Sequence, residues 1–218
     1  MKRAPNFDSL AGVYRWLEWI TFGPFLHRCR CTFLPEMRTA CAALILGDGD
    51  GRFTARLLGE NGVVLIDAID SSRAMLQSLQ HRAGIHSGRV RIHLVDARSS
   101  LPPHPPYDLV VTHFFLDCLS TEEVAALARQ IRTCVSPSAR WIVSDFSTPS
   151  NLFGWLVARP LVTALYFAFW LLTGLRRFRL PDHPRALTDA GFILHRRQTL
   201  LGGLLASEIW IPSPQRPA

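Results

Sequence analysis

Three glycines alternate with two aspartates directly after an apolar run of the chain. Gly47, Gly49 and Gly51 enclose Asp48 and Asp50. Glycine-rich turns that follow a strand commonly bind phosphate groups. A phosphate at this turn would meet two carboxylates, and two unit charges about 4 Å apart repel by roughly 4 kcal/mol at an effective dielectric constant near 20. The turn therefore favours a ligand that carries an ammonium or a sulfonium over a phosphorylated dinucleotide.

Acidic residues also end the next two predicted strands. Asp70 ends the second strand and is followed by Ser71 and Met75, while Asp96 and Ala97 follow the third. A carboxylate at the end of a second strand can accept hydrogen bonds from both ribose hydroxyls of a nucleoside. The pair after the third strand stands where an adenine amino group could be bound. Asp70 could equally cap the following helix, since Asp is a favoured N-cap residue, and Asp96 could be an ordinary loop residue.

His113 and Phe114 end the fourth predicted strand, where they would lie beside a transferred group. His113 could act as a general base or position a substrate. It could instead satisfy a loop carbonyl, and the two interpretations are left open. Asp117 and Cys118, which follow, are weaker candidates. Asp108, at the start of this strand, is interpreted as structural.

A parallel sheet is needed to bring these residues to one edge. Apolar runs predict strands at 43–46, 63–68, 90–95, 108–113 and 140–146, with a closing hairpin formed by 193–201 and 204–212. Helical patterns lie between them at 53–60, 71–82 and 120–135, the last with a capping box from Ser120 to Glu123. This alternation predicts an α/β, Rossmann-like, doubly wound fold with a seven-stranded, mostly parallel sheet, an antiparallel C-terminal hairpin strand and helices on both faces. The nearly continuous apolar runs predict strands buried on both faces.

Composition restricts the class of protein further. The 218 residues suit one domain with a formal net charge of +7, carried by scattered arginines. We interpret that charge as a solvated surface, although it permits an anionic partner. Five cysteines, an odd number, and a start without an apolar signal core favour free thiols and a cytoplasmic location. Cys29 and Cys31 form a poor zinc signature, and no metal site is predicted.

Residues 42–146 resemble the core of class I S-adenosylmethionine-dependent methyltransferases, particularly small-molecule enzymes of the quinone-biosynthesis type. The resemblance is carried by GDGDG, DSSRAML, the Asp-Ala pair after the third strand, YDLVV, and DAGF near the end. It implies S-adenosyl-L-methionine as cofactor, a ligand with both an ammonium and a sulfonium. The implied cofactor-binding residues are Gly47, Asp48, Gly49, Gly51, Asp70, Ser71, Met75, Asp96, Ala97, His113 and Phe114. The family usually has an acidic residue where this chain has Ile45, so Asp48, Asp50 or backbone carbonyls and waters would have to hold the methionine end.

The resemblance also implies a division of the chain. Residues 1–41 would form an N-terminal helical lid, 42–212 the methyltransferase domain with an apolar cover at 150–180, and 213–218 a tail. The expected acceptor pocket contains Tyr14, Trp19, Phe22, Tyr166 and Trp170, although some of these aromatic residues could be plain core. Residues 161–172 lack the polar stripe of a soluble amphipathic helix. A hydrophobic acceptor, a second subunit in a homodimer, or a membrane surface contacting 152–179 could cover them.

The predicted activity is methyl transfer to oxygen, sulfur, nitrogen or carbon of a small, hydrophobic or aromatic acceptor. A protein that binds the cofactor without catalysis is a second hypothesis. A nucleic-acid methyltransferase is a third, but enzymes of that class often carry an Asn-Pro-Pro-Tyr-type motif after the fourth strand to hold a flipped base. This chain has THFF there, so no nucleic-acid partner is expected.

Overall fold

The computed structural model describes residues 24–100, 106–147 and 180–214. Its centre is a seven-stranded sheet in the order β3-β2-β1-β4-β5-β7-β6. The strands are β1 (Ala42–Leu46), β2 (Leu65–Asp70), β3 (Val90–Leu94), β4 (Tyr107–His113), β5 (Val135–Phe146), β6 (Phe192–Leu200) and β7 (Leu205–Pro212). The described helices are α1 (Pro24–Arg30), α2 (Arg52–Glu60), α3 (Arg73–Ala83), α4 (Thr121–Cys134) and α5 (His183–Asp189).

The pairing confirms the predicted fold class. Strands β1 to β5 are joined by parallel ladders. Strand β7 is antiparallel to both β5 and β6. The strand order reverses between β1 and β4, which is the place where open α/β sheets bind ligands beyond the carboxyl ends of their strands.

Local sequence signals explain where the helices begin. The predicted capping box opens α4: Ser120 Oγ accepts a hydrogen bond from the Glu123 N–H at 3.1 Å, and Glu123 Oε2 accepts one from the Ser120 N–H at 2.8 Å. Gly51 is the N-cap of α2, with a φ of 80°. That left-handed conformation turns the chain sharply from the glycine loop into the helix.

Helices cover both faces of the sheet, as predicted. On one face, Phe53, Leu57 and Leu58 of α2 and Leu79 of α3 pack with apolar residues of β1, β2 and β4. On the other face, apolar residues of α4 and α5 pack against a layer that includes Trp141 and Trp210. These helix residues are Val124, Leu127, Ala128, Ile131, Ala186 and Leu187. The central strands of the sheet are therefore buried, and their carboxyl ends carry the candidate site.

Two strand predictions were wrong about burial. The third strand was expected to be buried on both faces, but β3 lies at an edge and exposes Ile92 and Leu94 to 36% and 44%. The second strand begins at Leu65 rather than Val63, which is 64% exposed. An edge strand has only one neighbour and incomplete helix cover, so an apolar sequence alone cannot distinguish it from a central strand.

Part of the predicted N-terminal lid packs as core. Phe33, Leu34 and Met37 are buried against the α2 face of the sheet, and Leu26 and Cys29 of α1 pack near Leu204 and Leu205. The tail begins with Ser213, whose N–H donates to the Gly191 carbonyl at 2.8 Å. Residues 1–23, 150–179 and 215–218 lie outside the described residues, so the lid, the apolar cover, its membrane contact and the tail stay predictions. Within 24–100, 106–147 and 180–214, no helix is long and apolar enough to cross a membrane.

Candidate functional site

The glycine loop is held at both ends and open in its middle. Gly47, Gly49 and Gly51 have φ values of 67°, 62° and 80°. A β-carbon at Gly47 would lie 2.5 Å from Cδ2 of Phe115, and one at Gly51 would lie 2.5 Å from Cα of Leu79. A β-carbon at Gly49 would meet no atom within 4 Å. Glycine at this middle position therefore leaves room for a ligand to approach the backbone.

The carboxylate of Asp48 joins the loop to the first turn of α2. Asp48 Oδ2 accepts hydrogen bonds from the Thr54 N–H at 2.9 Å and from Thr54 Oγ1 at 2.6 Å. Burial raises the pKa of Asp48 to about 6, although the Thr54 hydrogen bonds and the charge of Arg30 oppose that rise. Both hydrogen bonds from Thr54 go to Oδ2, and Oδ1 has no hydrogen-bond partner among the described residues.

Asp50 has a different role from Asp48. Its Oδ2 accepts hydrogen bonds from Arg52 Nε at 2.9 Å and Arg82 Nη2 at 3.1 Å, and Arg82 Nε also donates to the Asp50 carbonyl at 3.0 Å. These contacts tie the loop to α2 and α3. Two guanidinium groups offset the charge of Asp50, so the electrostatic preference predicted for the loop depends on Asp48.

Asp70 lies next to the glycine loop at the end of β2. The Gly47 N–H donates to the carbonyl of Ile69, the preceding residue, at 3.0 Å. Asp70 Oδ1 accepts a hydrogen bond from the Ser72 N–H at 2.8 Å, and Ser72 Oγ accepts one from the Met75 N–H at 3.3 Å. Ser72, rather than Asp70, is therefore the N-cap of α3, and the capping alternative for Asp70 is wrong.

Asp96 follows β3, beside Asp70, because Asp70 pairs with Leu94 in the ladder. Its carboxylate accepts hydrogen bonds from the N–H and Nε of Arg98, both at 2.9 Å. The Arg98 side chain is the main reason that the pKa of Asp96 is lowered. Ala97 is buried in the core below. The adenine contact predicted for Asp96 would have to share this carboxylate with Arg98.

His113 is enclosed rather than presented at the surface. Its side chain is 2% exposed, and its ring meets Phe53 edge to face with centroids 4.3 Å apart. Neither ring nitrogen has a hydrogen-bond partner among the described residues. Burial, with the charge of Arg30, lowers the pKa of His113 well below its usual value, so the imidazole is neutral at pH 7. A general base needs access to the acceptor proton, which this burial does not provide.

Phe114 continues the strand end in a strained conformation. Its φ is 52°, a region that non-glycine residues rarely adopt, and its N–H donates to the Ser144 carbonyl at 2.7 Å. The ring packs 5.2 Å from that of Phe146, with Cζ of Arg30 5.1 Å away. Such strain often accompanies functional sites. Here it directs Phe115 onto Gly47.

Two buried carboxylates lie near the carboxyl ends of β4 and β5, and sequence reasoning gave them little or no weight. Asp145 was not identified, and Asp117 was a weak candidate. The Asp117 N–H donates to Asp145 Oδ2 at 3.1 Å, and the Phe146 N–H donates to Oδ1 at 2.8 Å. Burial raises the pKa of Asp117 to about 6, while burial and the neighbouring Asp117 raise that of Asp145 well above its usual range. Asp117 and Asp145 are 28 residues apart in the sequence, so no local motif predicts that they form a pair.

The raised pKa of Asp117 should make native stability fall as pH rises from about 4 to about 6. In that window the unfolded chain has released the Asp117 proton and the folded chain retains it. Folding therefore becomes less favourable as pH rises, until Asp117 is ionised in the folded state as well. Asp117→Asn should therefore increase the free energy of unfolding at pH 7.5, on the order of 2 kcal/mol, and less at pH 4.5. Urea unfolding at both pH values measures this, with the exposed Asp189→Asn as control. A loss of stability at pH 7.5 would contradict the assignment.

The remaining predicted residues do not enter this geometry. Ser71 is exposed beside Asp70, and Met75 is half-buried in the first turn of α3. The predicted pocket residues Tyr14, Trp19, Phe22, Tyr166 and Trp170 lie outside the described residues. None of the five cysteines, all of which lie within the described residues, forms a disulfide. No group of metal-ligating side chains occurs in the part of the chain that the structure describes.

A comparison with protein families finds a match over the central part of the chain. Residues 43–138 match a family model described as a methyltransferase domain. This span runs from β1 into the start of β5 and includes the glycine loop, Asp70 and Asp96. No curated protein sequence is found to match the chain.

Solved structures with the same fold are distant in sequence. The mitomycin 7-O-methyltransferase MmcR is 14% identical with a TM-score of 0.69, over 95% of this chain and 61% of that one. An O-methyltransferase family protein from Burkholderia thailandensis is 15% identical with a TM-score of 0.69, over 94% and 60%. The CcbJ methyltransferase from Streptomyces caelestis is 18% identical with a TM-score of 0.62, over 86% and 90%. The chain spans less than two thirds of the length of the first two structures.

Proposed function

We propose that this chain, whose residues 43–138 match a methyltransferase domain, is a class I S-adenosylmethionine-dependent methyltransferase that transfers a methyl group from that cofactor to a small hydrophobic or aromatic acceptor. The observation that carries the proposal is the junction of the glycine loop with the end of β2. There the Gly47 N–H donates to the carbonyl of Ile69, the residue before Asp70, and the backbone at Gly49 is open. Arg52 occupies the position where the G-x-G-x-x-G fingerprint of dinucleotide-binding proteins has its third glycine.

The residues at this junction fit the chemical groups of the cofactor. Asp70 would accept hydrogen bonds from the ribose hydroxyls, and Asp96 with Ala97 would border the adenine. Ile45 is 1% exposed in the apolar core, so it contributes nothing to the methionine end. Oδ1 of Asp48 would bind the ammonium instead, and Phe115 would close the loop from above. When bound, the cofactor supplies a methyl carbon already activated by a sulfonium.

The nature of the acceptor is inferred from the similar structures and from the sequence. Two of the similar structures are named as O-methyltransferases. We therefore place an oxygen acceptor first, ahead of sulfur, nitrogen and carbon. The aromatic residues predicted to border the pocket favour an apolar or aromatic body for that acceptor. Because methyl transfer is an in-line displacement, positioning and exclusion of water can supply much of the catalysis.

Asp70→Ala should weaken the binding of S-adenosylhomocysteine by about 10- to 100-fold. Hydrogen bonds to a charged group contribute about 1.5–3 kcal/mol, and each 1.4 kcal/mol changes the affinity tenfold. Titration calorimetry on the full chain, without any acceptor, measures the dissociation constant. Asp189→Ala, an exposed carboxylate on α5, is the control and should bind as the wild type does.

A panel of phenols, quinols and thiols then separates an enzyme from a binding protein. Methylated product from any of them, detected by mass spectrometry, supports catalysis. A chain that binds S-adenosylhomocysteine and methylates nothing would support the non-catalytic hypothesis. The proposed function would be overturned if the chain bound a nicotinamide or flavin dinucleotide and did not bind S-adenosylhomocysteine.

A further inference from the structure

A buried histidine–carboxylate pair lies outside the cofactor loop. His183 begins α5, and its Nε2 lies 3.1 Å from Oε2 of Glu208 in β7. The side chain of Glu208 is 1% exposed and that of His183 is 12% exposed. The same Oε2 accepts a hydrogen bond from Trp210 Nε1 at 2.8 Å, and Arg197 Nε lies 3.3 Å from Oε1. Glu208 is therefore fixed from three sides, and it is the inner partner of the pair.

The charge state of Glu208 determines which nitrogen of His183 carries the proton. Burial alone would raise the pKa of Glu208, but hydrogen bonds from His183 and Trp210 and the charges of His183 and Arg197 lower it overall. An ionised carboxylate can only accept, so the neutral imidazole must donate through Nε2. The lone pair then lies on Nδ1, which has no hydrogen-bond partner among the described residues.

A chain of contacts connects this pair to the glycine loop. Phe115 packs on Gly47, and Asp117 follows two residues later in a tight turn, Leu116–Cys118. The charge of His183 opposes the rise that burial causes in the pKa of Asp117. The Asp182 N–H donates to Thr121 Oγ1 at 3.0 Å, which holds the start of α5 beside the start of α4. His183 thus lies at the ligand-binding edge of the sheet.

We propose that His183 is the base that takes the acceptor proton, and that Glu208 is its positioning residue. The proposal rests on the proposed function. In the step, the acceptor X–H bond breaks and its proton passes to Nδ1 of His183. The new X–C bond forms from the electron pair left on X, and the methyl S–C bond breaks with its electron pair remaining on sulfur. The ionised carboxylate of Glu208 stabilises the imidazolium that results, as a carboxylate does in other histidine-based sites.

Sequence reasoning offered His113 as one candidate for this role, and the geometry distinguishes the two histidines. His113 has no hydrogen-bond partner among the described residues and packs against Phe53. His183 has an orienting carboxylate on one nitrogen and an unbonded second nitrogen. A base oriented by a third group is a characteristic arrangement of sites that use histidine as a base.

The first test needs no acceptor. Nitrogen-15 NMR of the histidine side chains in the full-length chain should find neutral His183 in the Nε2–H form, and Glu208→Gln should shift it toward a mixture of the two tautomers. His183→Gln identifies the resonance. A neutral His183 protonated on Nδ1 in the wild type overturns the proposal, and this measurement decides it even where Glu208→Gln does not fold.

The second test compares two acceptors of different acidity. Phenol is protonated at pH 7.5, whereas 4-nitrophenol is largely ionised and needs little help from a base. His183→Gln should lower kcat for phenol by about 100-fold or more, within the range typical of general-base catalysis. It should lower kcat for 4-nitrophenol by less than about fivefold. His195→Gln, on the exposed β6 strand, is the matched control and should behave as the wild type.

The outcomes separate this inference from the proposed function. A wild type that methylates phenol together with an equally active His183→Gln overturns the base assignment and leaves the methyltransferase proposal standing. Equal losses on both phenols also overturn it, because they indicate a structural role. A wild type that neither binds S-adenosylhomocysteine nor forms any product overturns the proposed function, and the base assignment with it.

Discussion

Gly51→Ala should lower the free energy of unfolding by about 3–5 kcal/mol, while Gly49→Ala lowers it by only about 1–2 kcal/mol. Both glycines have a left-handed backbone, with φ values of 80° and 62°. An alanine in that conformation costs about 1–2 kcal/mol at either position. The difference between the two variants comes from what the new methyl group would meet.

At Gly51 that methyl group has no space. It would lie 2.5 Å from Cα and 2.7 Å from Cβ of Leu79, in the middle of α3. Backbone of a packed helix cannot rotate away as a flexible side-chain end can, so α2 and α3 would have to separate. Overpacking of this kind adds about 1–3 kcal/mol. At Gly49 no atom lies within 4 Å of the added carbon.

Urea unfolding of the two variants without cofactor measures this difference. Because the backbone strain is matched, Gly49→Ala is the control for the steric part of the effect. Equal losses of stability in the two variants would contradict the close approach of the glycine loop to α3. A second readout is cofactor affinity. Gly49→Ala should weaken the binding of S-adenosylhomocysteine more than its small loss of stability suggests, because the methyl group of the alanine occupies the space proposed for the ligand.

Sequence patterns were sufficient to predict the central part of this fold. Buried apolar runs located the strands, and the Ser120–Glu123 capping box located α4 to within one residue. These signals are local, because helix caps and strand hydrophobicity depend on neighbours within a few positions. The edge position of β3 was missed because it depends on strand order. Strand order is a property of the whole sheet.

The site was predictable only where one loop or strand end determines it. The glycine loop is a contiguous motif, and Asp70 follows it at the end of the next strand. The partners of Asp50 are Arg52, two residues away in the sequence, and Arg82, 32 residues away. His183 and Glu208 lie 25 residues apart and neither belongs to a motif. A carboxylate in a sequence reveals its charge but not the groups that will neutralise it. The functional difference between Asp48 and Asp50 therefore emerges only in the folded chain.

A second charged centre was not predicted at all, and it organises the sheet beneath the site. Asp67 lies in the middle of β2 and is fully buried. Its carboxylate accepts hydrogen bonds from Arg91 Nε at 2.9 Å, from Arg91 Nη2 at 2.8 Å and from the Tyr107 hydroxyl at 2.9 Å, and His93 Nε2 lies 2.8 Å away. These partners belong to β3 and β4. One side chain thus joins three strands, and β2 is the strand that ends at Asp70.

Asp67→Ala should lower the free energy of unfolding by about 2–4 kcal/mol at pH 7, because it removes hydrogen bonds to a charged group and leaves a buried hydroxyl without its acceptor. Arg91 is 46% exposed and can return to water, but the Tyr107 hydroxyl is buried and loses its acceptor. Tyr107→Phe, which removes a single hydrogen bond, should cost about 1 kcal/mol. Asp189→Ala, at an ion pair exposed on both sides, should change stability by less than about 0.5 kcal/mol.

The pH dependence of this centre has the opposite sign to that of Asp117. Burial would raise the pKa of Asp67, but hydrogen bonds from His93, Tyr107 and Arg91 lower it below its ordinary value. Its contribution is therefore complete above the pKa of the unfolded chain, about 3.9, and is lost as pH falls through the lower folded value. The stability difference between the wild type and Asp67→Ala, measured by urea unfolding, should be constant from pH 5 to 7 and shrink below pH 4. A difference that grows on acidification would mean that Asp67 is not ionised in the folded protein, and the account of how β2 is held would fail.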